Sequence, residues 1–274
     1  MATALVPPEA QLVAFRTVYC AAVALILVAR LPQYTRFLRT TTRVEKPPRV
    51  LAWMPLPHLG AEASLGLGVL TAVALLAASA GLWPAAALAV AAVGALLYFA
   101  QVMQHPAVRR KANTVPVILW LLAAVSLDPA PPDPRVAPAV LFTIKLLVAQ
   151  IYFSAGLAKL RAAGWRWSDG KTLRAWLVHY HLRDQSPLAL AAASSASLCR
   201  RGAGAVLLFE LTFWLVIPFP ALAWIYIPLG VLFHAATALL MRIQYWIHLG
   251  PAYLVFIKPW LGSAFGVLPE RLFP

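Results

Sequence analysis

The sequence predicts an all-α, polytopic membrane bundle of about eight transmembrane spans, with one interfacial helix after the fifth. Three observations carry this expectation. Of the 274 residues, 62% are hydrophobic, where a soluble domain has roughly 45–50%. Only 12% are charged, about half the usual ~25%. The apolar residues gather into runs close to the ~20 residues that one span needs. Together these exclude a soluble globule, a disordered chain and a disulfide-stapled secreted module. The runs are expected to be helical because only helices and closed barrels satisfy the backbone in lipid.

The eight runs fall near 12–32, 62–82, 84–104, 114–129, 137–160, 203–220, 221–241 and 244–261. The N-terminus has no basic segment ahead of its first run, and Arg16 lies inside that run. It therefore reads as a retained span and not as a cleaved signal peptide. The fourth run is short. The sixth and seventh abut at Pro218-Phe219-Pro220, where a tight turn is expected. No internal repeat is visible and no linker divides the chain, so residues 1–274 are read as one domain. Two connections are long enough to hold structure, 33–61 and 161–202. In the second, Leu173, Trp176, Leu177, Tyr180 and Leu182 recur at helical spacing, which suits a short helix in the membrane interface. Residues 188–198 read as a re-entrant or surface helix, too short to span. Trp165 and Trp167 read as an interfacial belt.

The net charge of +14 does not indicate a nucleic-acid partner. The basic residues sit in short segments between apolar runs, where they act as topology signals and contacts for anionic lipids. With eight spans, one side collects 17 of the 23 basic residues and the other side 3. The positive-inside rule puts the 17 in the cytoplasm. Cys20 and Cys199 are isolated and form no zinc or redox motif. His179-x-His181 has no third ligand nearby, so no metal is expected. Phosphate loops, nucleophile elbows and zincin motifs are absent from the sequence.

The fifth run carries the chemistry. Lys145, Tyr152, Gly156 and Lys159 fall on one helix face, within an arc of about 80°. A lysine at mid-span costs about 2.5–3.5 kcal/mol on insertion scales, so this face is expected toward protein or a watered cavity. Lys159 has two readings, a snorkelling cation near the helix end or a functional amine. Lys145 is read as the partner of Glu210, the acidic residue deep in an apolar run. His234, Arg16, Tyr226, Gln244 and His248 add further intramembrane polar groups, consistent with a shared polar cavity.

The stretch Tyr152-Phe153-Ser154-Ala155-Gly156-Leu157-Ala158-Lys159-Leu160, followed by Gly164-Trp165 and Trp167-Ser168-Asp169-Gly170, resembles the HTTM domain. That is the membrane domain shared by vitamin K-dependent gamma-glutamyl carboxylases and many microbial relatives. Phe209-Glu210-Leu211, Phe233-His234 and the Arg16-bearing first span extend the likeness over roughly 12–260. The resemblance implies an integral-membrane, lyase-type enzyme that uses reduced vitamin K or a related hydroquinone, with O₂ and CO₂. In the carboxylases a lysine deprotonates the hydroquinone, and its oxygenation yields the strong base that takes a glutamyl γ-proton. Lys159 matches that lysine. His234 is implied as a second catalytic residue, and Lys145, Tyr152, Gly156 and Glu210 as cofactor-binding residues. The lysine must be neutral to act, and a desolvated cavity with a second cation favours that form. The expected partners are membrane lipids and a peptide or protein substrate. The expected location is a bacterial inner membrane or a eukaryotic endomembrane. The competing reading is a non-catalytic accessory protein that binds a lipid or peptide during export or maturation.

Overall fold

The structure is a computed structural model, and it describes residues 7–40, 59–103, 114–127, 133–243 and 245–257. These residues are mostly helical, with no strand among them. The all-α expectation therefore holds. Among the described residues the α-helices run in order: α1 (Pro8–Thr40), α2 (Ala61–Ser79), α3 (Pro84–Met103), α4 (Thr114–Ser126), α5 (Val136–Ala163), α6 (Lys171–Asp184), α7 (Pro187–Ser194), α8 (Ala196–Thr212), α9 (Ala223–Met241) and α10 (Trp246–Leu249). Short 3₁₀ segments cover Gly164–Asp169, Phe213–Val216, Pro220–Leu222 and Pro251–Phe256.

Among the described residues, five helical segments are long and apolar enough to cross a membrane: Pro8–Arg36, Ala61–Ser79, Pro84–Gln101, Val136–Asp169 and Pro220–Met241. They are compatible with an integral membrane protein. The other three expected runs are shorter helices. The 13 residues of α4 rise about 20 Å, against a hydrocarbon core of about 30 Å. α8 has 17 residues and carries Arg200 and Arg201 near its start. The last run is broken after Leu249 by Gly250-Pro251, where the proline lacks the N–H that a continuing helix needs. Gln244 and residues 258–261 of that run, and residues 41–58 of the first long connection, lie outside the described residues.

The chain divides into two compact units, Met1–Phe142 with Ile247–Pro274, and Thr143–Trp246. In the first unit α1 packs on α2, α2 on α3 and α3 on α4, and the Pro251–Phe256 segment returns to α1. The buried core includes Phe15, Tyr19, Leu27, Leu75, Leu88, Tyr98 and Ile118. Small residues bring these helices close, as membrane packing requires. A Cβ on Gly94 would come within 2.3 Å of the Thr71 hydroxyl oxygen. Aliphatic side chains such as Leu25, Val69, Leu70 and Val73 face outward, the arrangement expected where lipid replaces water.

In the second unit α6 packs on α7, α8 and α9, and the Gly164–Asp169 turn packs on α8. Ser186 and Ser195 cap α7 and α8 by accepting the backbone N–H groups of Ala189 and Leu198. The predicted short helix in 161–202 is α6, and its Leu177 and Tyr180 are buried. Trp176 and Leu182 of the same pattern are exposed. At 100° per residue Leu182 lies about 140° around the axis from Leu177, so the five residues do not share one face. The Pro218–Pro220 turn is present, and the chain re-enters helix through Pro220–Leu222.

Candidate functional site

The site is built on α5, α8 and α9 of the second unit. α5 presents Tyr152, Gly156 and Lys159 along one side, as the 3.6-residue period requires. Gly156 sets the approach of α8. A Cβ there would lie 3.0 Å from Leu211 and 3.1 Å from the Cβ of Glu210. The bare backbone at 156 lets Glu210 come alongside α5 one turn before Lys159.

Lys159 and Glu210 form a two-point ion pair. The lysine Nζ donates to Oε1 at 2.7 Å and to Oε2 at 2.6 Å. The carboxylate is 4% exposed and the lysine side chain 25% exposed. Nζ also lies 5.3 Å from the ring centroid of Trp167, within reach of the ring's negative face. Trp167 is carried there by the 3₁₀ turn between Gly164 and Gly170. Gly170 has φ of +85° and packs against the α8 backbone, where a Cβ would lie 2.4 Å from the nitrogen of Arg200. Only glycine fits both the dihedral and the space. The ring itself packs with Ala203 and Leu207.

Two turns before Lys159, the Tyr152 hydroxyl and His234 Nε2 share a buried hydrogen bond of 2.6 Å. Aromatic rings enclose the pair. Tyr152 lies 5.1 Å from Phe209 and 4.5 Å from Phe213 by centroid. His234 lies 5.1 Å from Phe233. Tyr226 packs on Phe209 and donates its hydroxyl hydrogen to Thr212 at 2.7 Å. Polar groups in such a dry cluster interact strongly and are costly to leave unmatched.

Five of the six predicted site residues are therefore brought together: Tyr152, Gly156, Lys159, Glu210 and His234. Lys145 lies further back on α5. It sits fourteen residues before Lys159, about 21 Å along the helix axis. Glu210, read from the sequence as the partner of Lys145, forms its ion pair with Lys159. Lys159 is an ion-paired side chain, and a free snorkel to the headgroups is excluded by the bidentate contact.

Sequence reasoning missed Trp167, read there as an interfacial tryptophan but 8% exposed and facing Lys159. It also missed Phe209 and Phe213. The available signals were Gly164 and Gly170 bracketing the Trp, and the Phe beside Glu210. His181 Nδ1 donates to the Ser186 carbonyl at 2.9 Å, and His179 packs edge-on against Trp176. Among the described residues, no group of three or more His, Cys, Asp or Glu side chains is placed to hold a metal ion.

Compared with protein-family models, with curated proteins and with solved structures, the chain matches none.

Proposed function

We propose that the second unit is the proton-transfer centre of an integral-membrane enzyme acting on a reduced, lipid-soluble quinone, in the manner the HTTM resemblance implies. The observation that carries this reading is the Lys159–Glu210 pair, with its carboxylate buried and its amine partly open beneath Trp167. Two buried charges carry a desolvation penalty of several kcal/mol each, which mutual contact only partly offsets. Moving the Nζ proton onto Glu210, 2.6 Å away, converts both groups to neutral forms and removes that penalty. The amine so released is the open member of the pair, and it accepts a proton from a hydroxyl presented to it. The pair then holds one proton more than at the start, and it resets when Glu210 gives its proton up to a base outside the pair. His234 and Tyr152 form a second proton-carrying pair in the same unit.

The donor chemistry fits a hydroquinone: an amine and a carboxylate meet at one point, flanked by aromatic rings. When bound, a hydroquinone would supply an acidic phenolic hydroxyl and the reducing equivalents for reaction with O₂. Carboxylation of a peptide or protein substrate is the outcome that such oxygenation would drive. The eight-span arrangement belongs to the same reading, with α4, α8 and the Trp246–Phe256 segment as the spans that the bilayer completes.

The decisive test is vitamin K hydroquinone epoxidation in membranes at matched expression. Lys159→Ala alone is ambiguous, because it strands a buried carboxylate. Lys159→Arg keeps the positive charge beside Glu210 but cannot release a proton, since a guanidinium stays protonated in proteins. Epoxide from the wild type, with loss in a folded Lys159→Arg protein, supports the base. Equal turnover in both makes the pair structural, and no epoxide from either removes this reaction.

A second reading, a non-catalytic accessory protein, is favoured by one observation. Around α6 and α7, Trp165, Trp176, Leu182 and Leu188 are all exposed, beside exposed Arg174 and Arg183. An apolar and basic surface of that kind suits a lipid interface or a peptide. Under this reading Lys159→Arg retains function and charge reversal at Arg174 and Arg183 abolishes it.

A further inference from the structure

The ends of two long apolar segments, Val136–Asp169 and Pro220–Met241, meet at α6 and α7. Leu173 of α6 packs with Leu160 and Ala163 of α5 around Trp167. Leu177 of α6 and Ala189 and Ala193 of α7 pack with Leu240 and Met241 at the end of α9. α6 has 14 residues and α7 has 8, rises of about 21 and 12 Å against a hydrocarbon core of about 30 Å. Neither can cross a bilayer. With the two segments as spans, the pair lies over the ends of both, at the depth of the headgroups.

The outward side of α6 matches that depth. Lys171, Trp176, His179, Leu182 and Arg183 are exposed and fall within an arc of about 140°, and the buried Leu177 and Tyr180 lie outside it. Aromatic, aliphatic and cationic side chains on one face suit the boundary between lipid and water, where each kind finds its own medium. Trp165, Leu188 and Leu198 are exposed as well.

Charge indicates which lipid. Between 161 and 201 the chain has seven Lys and Arg residues against two acidic ones, and all seven cations are exposed. Four of them gather where α6 starts. Gly170 lies so close to α8 that a Cβ would be 2.4 Å from the Arg200 nitrogen, which brings positions 171 and 174 near 200 and 201. Among the described residues Arg174, Arg200 and Arg201 form no ion pair. Lys171 approaches Asp169 only to 3.9 Å. The positive surplus is not matched from within this surface, and phosphate oxygens match it.

We propose that α6, α7 and the start of α8 form a platform in the headgroup layer that binds anionic phospholipids. Trp165, Trp176, Leu182 and Leu188 dip below the phosphates, and Lys171, Arg174, Arg200 and Arg201 hold them. This narrows the apolar and basic surface of α6 and α7 to one partner. It rests on the two segments crossing the bilayer, and on neither Lys159 nor Glu210.

The test places a fluorescent label at Leu182→Cys of the full-length protein in bilayer nanodiscs, Cys20 and Cys199 being buried. Quenching by spin-labelled phosphatidylglycerol is compared with quenching by spin-labelled phosphatidylcholine. A second label at Leu232→Cys, exposed near the middle of α9, reports whether that segment crosses the bilayer. Lipid quenching is expected at both positions. At 182 phosphatidylglycerol should be preferred at least about fivefold, which is what one cation supplies at an anionic surface. The preference should fall to near parity in high salt, and when Lys171→Gln, Arg174→Gln, Arg200→Gln and Arg201→Gln are combined. The charge-keeping combination of Arg174→Lys, Arg200→Lys and Arg201→Lys should retain it. Equal quenching by both lipids at 182 overturns the proposal, as does a preference that survives the four glutamines. Quenching at 232 but not at 182 overturns the platform alone and leaves its surface in water, open to a peptide. Absence of quenching at 232 removes the span, and the platform with it.

Discussion

The two units differ in how several of their polar side chains are matched. In the second, a part-buried amine meets a buried carboxylate and a buried phenol meets an imidazole. In the first, Arg16 Nε, the hydroxyls of Tyr19 and Tyr98, and His248 Nδ1 are buried without a hydrogen-bond partner among the described residues. Each such group costs about 1–3 kcal/mol when it is left unmatched in a dry interior. The difference separates two uses of polarity in an apolar chain. Internal pairing offsets the cost of burying polar groups in the second unit, and the unmatched groups of the first carry that cost uncompensated.

The sharpest way to break this comparison is to remove one member of the ion pair. Glu210→Leu leaves Lys159 without its carboxylate in a largely apolar setting. Loss of one partner of a buried pair costs about 3–5 kcal/mol, and the 25% exposure of Lys159 places this case toward the low end. Thermal unfolding in detergent should show a large drop. Lys159→Met combined with Glu210→Leu should recover most of it, since replacing both charges with apolar groups is often neutral. If the single variant unfolds like the wild type, the pair is not as dry as its geometry indicates.

Much of this centre was legible in the sequence, because one helix carries it. The 100° step puts Tyr152, Gly156 and Lys159 of α5 on one side whatever surrounds them. The partner of Glu210 was not legible. Both lysines share the same face, and their choice depends on how α5 and α8 slide past each other. Gly156 decides that register by admitting Glu210 near Lys159 and eleven residues from Lys145. Trp167 was misread for a related reason. Its place depends on a turn that needs two glycines with positive φ, Gly164 and Gly170, and belt patterns carry no such information. The eighth run was apolar enough to read as a span, yet Gly250-Pro251 divides its helical segments, because hydropathy does not register a missing N–H.

A second prediction concerns the phenols. Tyr152→Phe removes the hydrogen bond to His234 from an aromatic enclosure. The expected loss is about 1–3 kcal/mol, read as a lowered unfolding temperature with retained helical content. Tyr19→Phe sharpens the contrast. Tyr19 is fully buried, and its hydroxyl has no partner among the described residues. Removing that oxygen should leave stability unchanged or raise it by up to about 1 kcal/mol, because no bond is lost and a buried polar atom disappears. A destabilised Tyr19→Phe protein would show that the hydroxyl is matched after all, and the two units would then differ less than the contacts indicate.

The smallest effect tests the ion-pair argument from the surface. At the end of α6, Arg183 binds the carboxylate of its neighbour Asp184 at 2.9 and 2.5 Å. This hydrogen-bonded guanidinium holds the Asp184 carboxyl below its ordinary value of 3.8. A carboxylate with a lowered folded value stabilises the fold once the pH is above the unfolded value. That contribution is therefore complete above roughly pH 4 and disappears as acid carries the pH down through the lowered folded value. Arg183 is about half exposed, and exposed pairs contribute roughly 0–1 kcal/mol. Asp184→Asn should accordingly cost little at neutral pH, and the cost should vanish at the acid end of the range. Salt should reduce it further. Lys159→Met combined with Glu210→Leu should respond to salt much less, because buried charges are poorly screened. Equal salt sensitivity at both pairs would place Lys159 and Glu210 in water.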